Sequence, residues 1–514
     1  MTLPETTTLG RLRLGGAAAA LRLLAPALLP VLLCAPFVLA PPLNPDVAAI
    51  LSFSGRWFAG ERLYTDLIDI NPPLIFVLNL MPVALAEVAG IDGPQALQLC
   101  VVALGLFAWF LSVQVRARGA EGPVLRALLD ALPGLFLFGA GSDFGQREHL
   151  MAMVALPYLL AAARRAEGER PRRRLLAALL AALGFVLKPH FLVIPLAVEL
   201  AVLAARPTLR DVVPWTMALV WVGCLAAMPL LFPQYWRFVV PLVWEVTLGD
   251  GSAMLGMLLL PRMLTVLCLL LPLLWLARKG AGALARMLGL AGVGALAAAL
   301  AQRQGASNHI VPIEFFACAL GMVLAARWLD RWRLVVGRRA AARVAGMLGG
   351  LWVLYAMSNG EAPWRQIGYG DSVTAGLVGL LREAAEGERV LVFSPGVAPA
   401  FPALIYAHVR PTLRMVDMGL LDGAYAHCLP DGRRYREVWE MGRAEFYVYR
   451  SVAEDFARAP PAAVLVDSQT GIPDCGEAFD FVTYFSRHQL FAEVWSHYEQ
   501  TAERGRFRVY TRKD

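Results

Sequence analysis

Asn44-Pro45-Asp46, Gly60-Glu61-Arg62-Leu63-Tyr64-Thr65-Asp66 and Asp69-Ile70-Asn71-Pro72-Pro73-Leu74 form one stretch between two strongly apolar runs. The run before it, Leu21 to Ala40, has the ~20 residues a helix needs to cross a hydrocarbon core of ~30 Å. The stretch therefore sets Asp46, Asp66, Asp69 and a rigid Pro-Pro turn at the lip of a membrane bundle. A carboxylate beside lipid is costly to keep charged, so such residues mark function more often than ornament. Asp46 also suits the N-cap of a helix over Val47 to Ala59, where its side chain would accept from the first free amides. Capping and chemistry do not exclude each other.

Composition gives the class independently. The chain has 514 residues, of which 58% are hydrophobic and 17% charged, and its mean hydropathy is +0.55, far from a soluble globular average. Leu258 to Ala277 is a further run long enough to span. Met1 to Gly10 is polar and no small-residue cleavage site follows the first run, the pattern of a retained anchor. The net charge of +7 does not indicate nucleic acid, because the excess lies in short loops between apolar runs. Every second loop is Arg-rich: Arg11 and Arg13; Arg116 and Arg118; Arg164, Arg165 and Arg170 to Arg174; Arg206 and Arg210; Arg278, Lys279 and Arg286; Arg327 to Arg343. The loops between hold isolated cations, namely Arg56, Arg62, Arg147, Lys188, Arg237 and Arg303. The positive-inside rule then predicts about eleven spans, with the N-terminus inside and everything after Asn359 outside. The expected location is a bacterial inner membrane.

Two segments decide that count. Pro72 to Val88 is apolar, but a span there would export the Arg116/Arg118 cluster, so it is expected to lie at the outer surface, with the next span starting near Gln95. Leu175 to Ala205 would measure ~46 Å as one helix at ~1.5 Å per residue. Lys188-Pro189-His190 sits at its middle and both ends are Arg-rich. Two short helices meeting at an outward turn satisfy both facts.

From about Gly387 the texture becomes that of a soluble α/β domain. Arg389 to Ser394 and Ala463 to Asp467 are short apolar runs bounded by Gly, Pro or Asp, as buried strands are. Phe491 to Glu499 and Phe507 to Thr511, around Arg504-Gly505, read as a closing hairpin. The expected division is a transmembrane domain over 1–358, with outward loops 42–94, 141–149, 233–257 and 302–312, and a soluble extracytoplasmic α/β domain over 359–514. Cys428 and Cys475 are its only cysteines; spacing alone does not say whether they pair.

Polar residues collect on the outward loops. Gly141 to His149 carries Asp143, Arg147, Glu148 and His149 in one turn. They either neutralise one another or supply acids together with Arg147, a bidentate donor suited to a phosphate oxygen. Lys188 beside His190 either snorkels to the interface or binds an anion. Gln302-Arg303-Gln304 with Ser307-Asn308-His309 is a polar loop or a third cationic contributor. Arg147, Lys188 and Arg303 occupy three different turns, as residues surrounding one anionic headgroup would. Arg237 and the loop Trp244 to Asp250 are a candidate lid, although Tyr235, Trp236 and Trp244 also suit an interfacial belt.

Asp46, the Gly60/Tyr64/Asp66 stretch and Pro72-Pro73-Leu74 resemble the first extracytoplasmic loop of the GT-C superfamily of integral membrane glycosyltransferases. That group uses polyprenyl-phosphate sugars and includes the protein O-mannosyltransferases (glycosyltransferase family 39) and the aminoarabinose transferases. One position departs: Asn71 stands where many relatives carry Lys before the two prolines. The resemblance implies a GT-C-like membrane domain and inverting transfer of a hexosyl or pentosyl group from a polyprenyl-phosphate donor to a glycan, lipid or protein acceptor. It implies Asp46 as base, with Asp143 or Glu148 as the second acidic motif. Phosphate contacts fall to Arg147, Lys188 and Arg303, and substrate contacts to Tyr64, Asp66, Asn71, His149, His190 and His309. No cofactor is called for, and a divalent metal ion is compatible with these residues. The rival classes are a transporter or flippase of an anionic or lipid-linked solute, against which the lack of an inverted repeat speaks, and a non-catalytic envelope scaffold.

Overall fold

The computed structural model describes residues 24–116, 120–247, 256, 258–278, 280–302, 307–358, 362–429, 431–475 and 478–513. Arg11, Arg13, Arg118, Gly249, Asp250, Lys279, Arg303, Gln304 and Asn359 lie outside the described residues. The chain is mainly helical up to Ser358: α1 Leu24–Leu39, α2 Pro45–Phe58, α3 Pro73–Ala89, α4 Gly93–Val115, α5 Pro123–Phe138, α6 Arg147–Ala166, α7 Arg174–Val186, α8 Val193–Ala205, α9 Val212–Leu231, α10 Val240–Thr247, α11 Pro261–Ala277, α12 Gly282–Gln302, α13 Val311–Arg331 and α14 Arg338–Ser358. By length and composition α4, α9, α12, α13 with its entry turn, and α14 are able to cross a membrane; α1, α3, α7, α8 and α11 are shorter apolar helices. The chain is a polytopic α-helical protein with a small C-terminal α/β region, as its composition predicts.

By packing it divides into two compact units, the first built from Met1–Pro41, Gln98–Gly223 and Ser252–Gln366, the second from Pro42–Leu97, Cys224–Gly251 and Ile367–Asp514. In the first unit, α6 is buried along nearly its whole length. Lipid tails are as apolar as Leu, so helices in a bilayer associate through close packing of small residues. Ala177, Ala178, Ala181, Ala182 and Gly184 of α7 are buried accordingly. A Cβ on Gly184 would stand 2.4 Å from Val154 Cγ2 on α6. Helix α5 starts on Pro123, and its free amides at Val124 and Leu125 donate to the Asp330 carboxylate of α13, each at 2.9 Å. A side chain on Gly122 would strike that carboxylate.

The break within Leu175 to Ala205 is as expected. Helix α7 stops at Val186, Lys188 is extended at φ −140°, ψ 133°, and Pro189–Leu192 makes a 3₁₀ turn into α8. Proline disfavours helical backbone in the residue before it, which puts Lys188 at the turn.

In the second unit the sheet order is β2-β1-β3-β5-β4, with β1 Arg389–Phe393, β2 Arg410–Pro411, β3 Ala463–Asp467, β4 Tyr498–Arg504 and β5 Phe507–Arg512. Strands β1, β2 and β3 are parallel and β5 runs antiparallel to β3. Every residue of β3 is buried, as suits a strand covered on both faces. The hairpin is the β4–β5 pair, but Phe491 lies on the short helix Gln489–Trp495 that precedes it. Phe491 and Trp495 stack at 5.7 Å, an i,i+4 helix pair that reads in sequence like a strand's aromatic content. Cys428 and Cys475, 47 positions apart, form a disulfide.

The stretch from Asn44 to Leu74 belongs to this second unit. Asn44, not Asp46, caps α2: its side chain accepts from the amides of Asp46 and Val47. Asp46 is instead an acidic residue in the first helical turn, where the helix dipole favours negative charge. The loop is then stitched to the C-terminal region, with Arg56 donating to Leu413 O at 2.8 Å and the Ile68 amide to Arg414 O at 2.7 Å.

Candidate functional site

The first unit gathers polar and ionisable side chains from the starts of α6, α11 and α13, the end of α12 and the α7–α8 turn. Lys188 Nζ donates to Glu148 Oε1 at 2.6 Å and Gln302 Oε1 at 3.0 Å, and lies 3.3 Å from His309 Nε2. For Lys188 to donate there as well, that imidazole nitrogen must carry its lone pair. Glu148 is 0% exposed. Its Oε2 and Arg147 Nε are buried without a hydrogen-bond partner among the described residues. Alongside, Arg262 forks onto Glu314 at 2.8 and 2.7 Å, faces Asp143 Oδ2 at 3.8 Å, and shares Glu314 with the Tyr355 hydroxyl at 3.1 Å. Arg147, Lys188 and Arg262 thus stand against Asp143, Glu148 and Glu314, three basic side chains facing three acidic ones, as charged groups in apolar surroundings must be paired.

His149 holds the turn together. Phe136 O only accepts, so His149 Nε2 donates to it at 2.9 Å, leaving Nδ1 to accept from the Gly145 amide at 3.0 Å. Gly141 and Gly145 adopt φ +56° and +84°, which side-chain-bearing residues rarely do. His190 is half-buried on the 3₁₀ turn beside Lys188.

The second unit holds Asp46 and a different set. Asp69 Oδ1 accepts from the Asn71 amide at 2.7 Å, and Tyr64, 1% exposed, donates its hydroxyl to Asn71 O at 2.5 Å. Tyr64 is packed edge-on against Phe76 and Phe232, so it braces the loop from inside. Asp66 pairs with Arg62 at the surface. Asp417 accepts from the Gly419 amide at 2.9 Å. Burial, and then the charges of Asp69, Asp46 and Asp422, push the Asp417 carboxyl up to about 7. Asp46 is therefore one of several carboxylates whose fields overlap at Asp417. Among the described residues no three His, Cys, Asp or Glu side chains are arranged to hold a metal ion.

Of the residues expected from sequence, Glu148, Lys188 and His309 come together, and Asp143 and Arg147 lie on the same turn. Arg303 lies outside the described residues. Arg262, Glu314, Tyr355 and Asp417 were not anticipated. The available signal for the first two was a charge inside an otherwise apolar helical run, Pro261-Arg262-Met263 and Ile313-Glu314-Phe315.

No protein-family model matches the sequence, and no curated protein matches it either. Solved structures do. ArnT from Cupriavidus metallidurans bound to undecaprenyl phosphate superposes with TM-score 0.53 at 16% identity, covering 96% of this chain and 98% of that one. The same protein in its apo state gives TM-score 0.55 at 15% identity with the same coverage. ArnT is an aminoarabinose transferase of GT-C fold. Along nearly its full length, then, this chain has the GT-C fold.

Proposed function

We propose that the chain is an inverting glycosyltransferase moving a sugar from a polyprenyl phosphate to a cell-envelope acceptor on the outer face of the membrane. The observation that carries this reading is the end-to-end likeness to ArnT, which was solved bound to undecaprenyl phosphate. In this reading the acceptor hydroxyl oxygen attacks the anomeric carbon as the bond from that carbon to the phosphate oxygen breaks. The polyprenyl phosphate leaves with the bonding electrons, and the hydroxyl proton passes to Asp46. An ordinary carboxylate is too weak to deprotonate an alcohol in advance, but it accepts the proton as the new bond forms. Charge growing on the departing phosphate calls for fixed cations in a water-poor setting. Arg147 is the first choice, since its Nε is buried without a partner among the described residues. Arg262 and Lys188 are already engaged by Glu314 and Glu148 and would orient and balance the group.

The test is direct. Purified protein in lipid is incubated with a panel of radiolabelled polyprenyl-phosphate sugars and envelope acceptors. The reading expects label transfer, with inverted anomeric configuration in the product. Transport of an intact labelled donor across a proteoliposome without transfer would replace it.

A further inference from the structure

We propose that the groove between α1 and α14 is a binding site for one anionic phospholipid, separate from the polar clusters described above. The groove encloses about 660 Å³. Two stripes of matching period line it. On α1 they are Pro26, Leu29, Pro30, Leu33 and Phe37, and on α14 Gly346, Met347, Gly350, Val353, Leu354 and Met357. Each stripe recurs every three or four residues, so each is a single helix face.

The helices touch at one end and leave room beyond it. A Cβ on Gly346 would stand 2.1 Å from Pro26 O and one on Gly349 3.4 Å from Pro30 Cγ, whereas one on Gly350 would meet nothing within 4 Å. Leu33, Met347 and Leu354 in the lining are 60%, 70% and 61% exposed. Arg343 also lines the groove, one turn past Arg338 and Arg339, and makes no hydrogen bond or ion pair among the described residues. From Arg343 to Met357 the helix rises ~21 Å at ~1.5 Å per residue, enough to carry the ~15 Å depth of one leaflet with a headgroup beyond it. A cation at one end of an apolar trough about one leaflet deep matches an amphiphile with one anionic head and tails of ordinary length. Basic residues at the end of a crevice between spanning helices are a known way to hold such headgroups.

Native mass spectrometry of the full chain extracted in mild detergent tests the site, using phosphatidylglycerol and phosphatidylcholine as probes. Wild type is expected to retain one phosphatidylglycerol in preference to phosphatidylcholine. Arg343→Gln removes a charged hydrogen bond, and retention should fall ~10-fold or more. Gly350→Leu fills the trough where the backbone has room. A glycine-to-leucine change inside a helix favours folding, so retention should vanish while the chain stays monodisperse. Cys34 also lines the groove and supplies an independent readout. In a variant keeping Cys34 as its one free thiol, phosphatidylglycerol should slow its alkylation by an apolar maleimide, and Gly350→Leu should abolish the lipid dependence. Equal retention of the two lipids, or unchanged phosphatidylglycerol retention in both variants, overturns the proposal. Preferential retention of a polyprenyl phosphate overturns the assigned occupant.

Discussion

Lys188→Met isolates the Glu148–Lys188 pair. Glu148 is wholly buried and its Oε1 lies 2.6 Å from Nζ, so the single change strands a carboxylate away from water and from its partner. Breaking a buried pair in this way costs ~3–5 kcal/mol. Glu148→Gln leaves the ammonium with Gln302 at 3.0 Å, so its cost is that of one charged hydrogen bond, ~1.5–3 kcal/mol. Glu148→Gln/Lys188→Met removes both charges. Additivity would put it about 5–8 kcal/mol below wild type, whereas a coupled neutral pair should bring it back to within ~1–2 kcal/mol. The assay is the unfolding midpoint of the four proteins in lipid nanodiscs, with donor binding measured on the two most stable. An additive double variant would falsify the pair as a structural unit. A stable double variant that binds donor as wild type does would remove Lys188 from the phosphate site.

Asp46→Asn should leave stability nearly unchanged and lower transfer by ~10²-fold or more; most activity surviving in folded protein would assign the base elsewhere. Arg147→Gln should weaken donor binding ~10- to 150-fold with acceptor affinity little altered. Arg147→Lys should restore it only partly, because the planar fork is lost; equal affinity in all three proteins would move the phosphate contact off Arg147. Asp417 sets a pH dependence: its carboxyl is raised from 3.8 to about 7 in the folded chain, so between those values the folded state holds a proton that the unfolded state has released. Stability from this group is therefore greatest at low pH and is lost as pH rises through 7, by on the order of 2–4 kcal/mol. Asp417→Asn should flatten the profile of unfolding midpoint between pH 5 and pH 8, and parallel profiles would refute the assignment. Asn44→Ala should cost ~1 kcal/mol by uncapping α2, readable as a lower midpoint with catalysis retained.

Sequence reveals what depends on near neighbours. Pro189 announced the α7–α8 break because its effect reaches only one residue back, and the apolar runs at Arg389 and Ala463 showed their strands because buried parallel strands need little else. The cap of α2 was misassigned by two positions, since Asn44 and Asp46 are both good caps and backbone geometry alone chooses between them. Glu148 and Lys188 stand out as charges between apolar runs, but their pairing joins residues 40 apart. Arg262 and Glu314, 52 apart, each stand alone within an apolar run, so the sequence shows two isolated charges and not their pairing. Nothing near Asp417 in the sequence marks it, because its environment is made by burial in the folded chain and by Asp69 and Asp46, far away in the chain.

The bond from Arg56 to Leu413 O joins residues 357 positions apart, and synthesis runs in one direction. At ~5–20 residues per second, the segment bearing Asp46, Tyr64 and Asp69 waits roughly 18–70 s after leaving the ribosome before the segment around Leu413 that completes it exists. Throughout that interval the nascent chain carries its earliest acidic loop unfinished at the membrane. A ribosome stalled before Leu413 therefore leaves an inserted helical bundle whose opening loop is still accessible to proteases and chaperones, and release of the last hundred residues is the event that closes it.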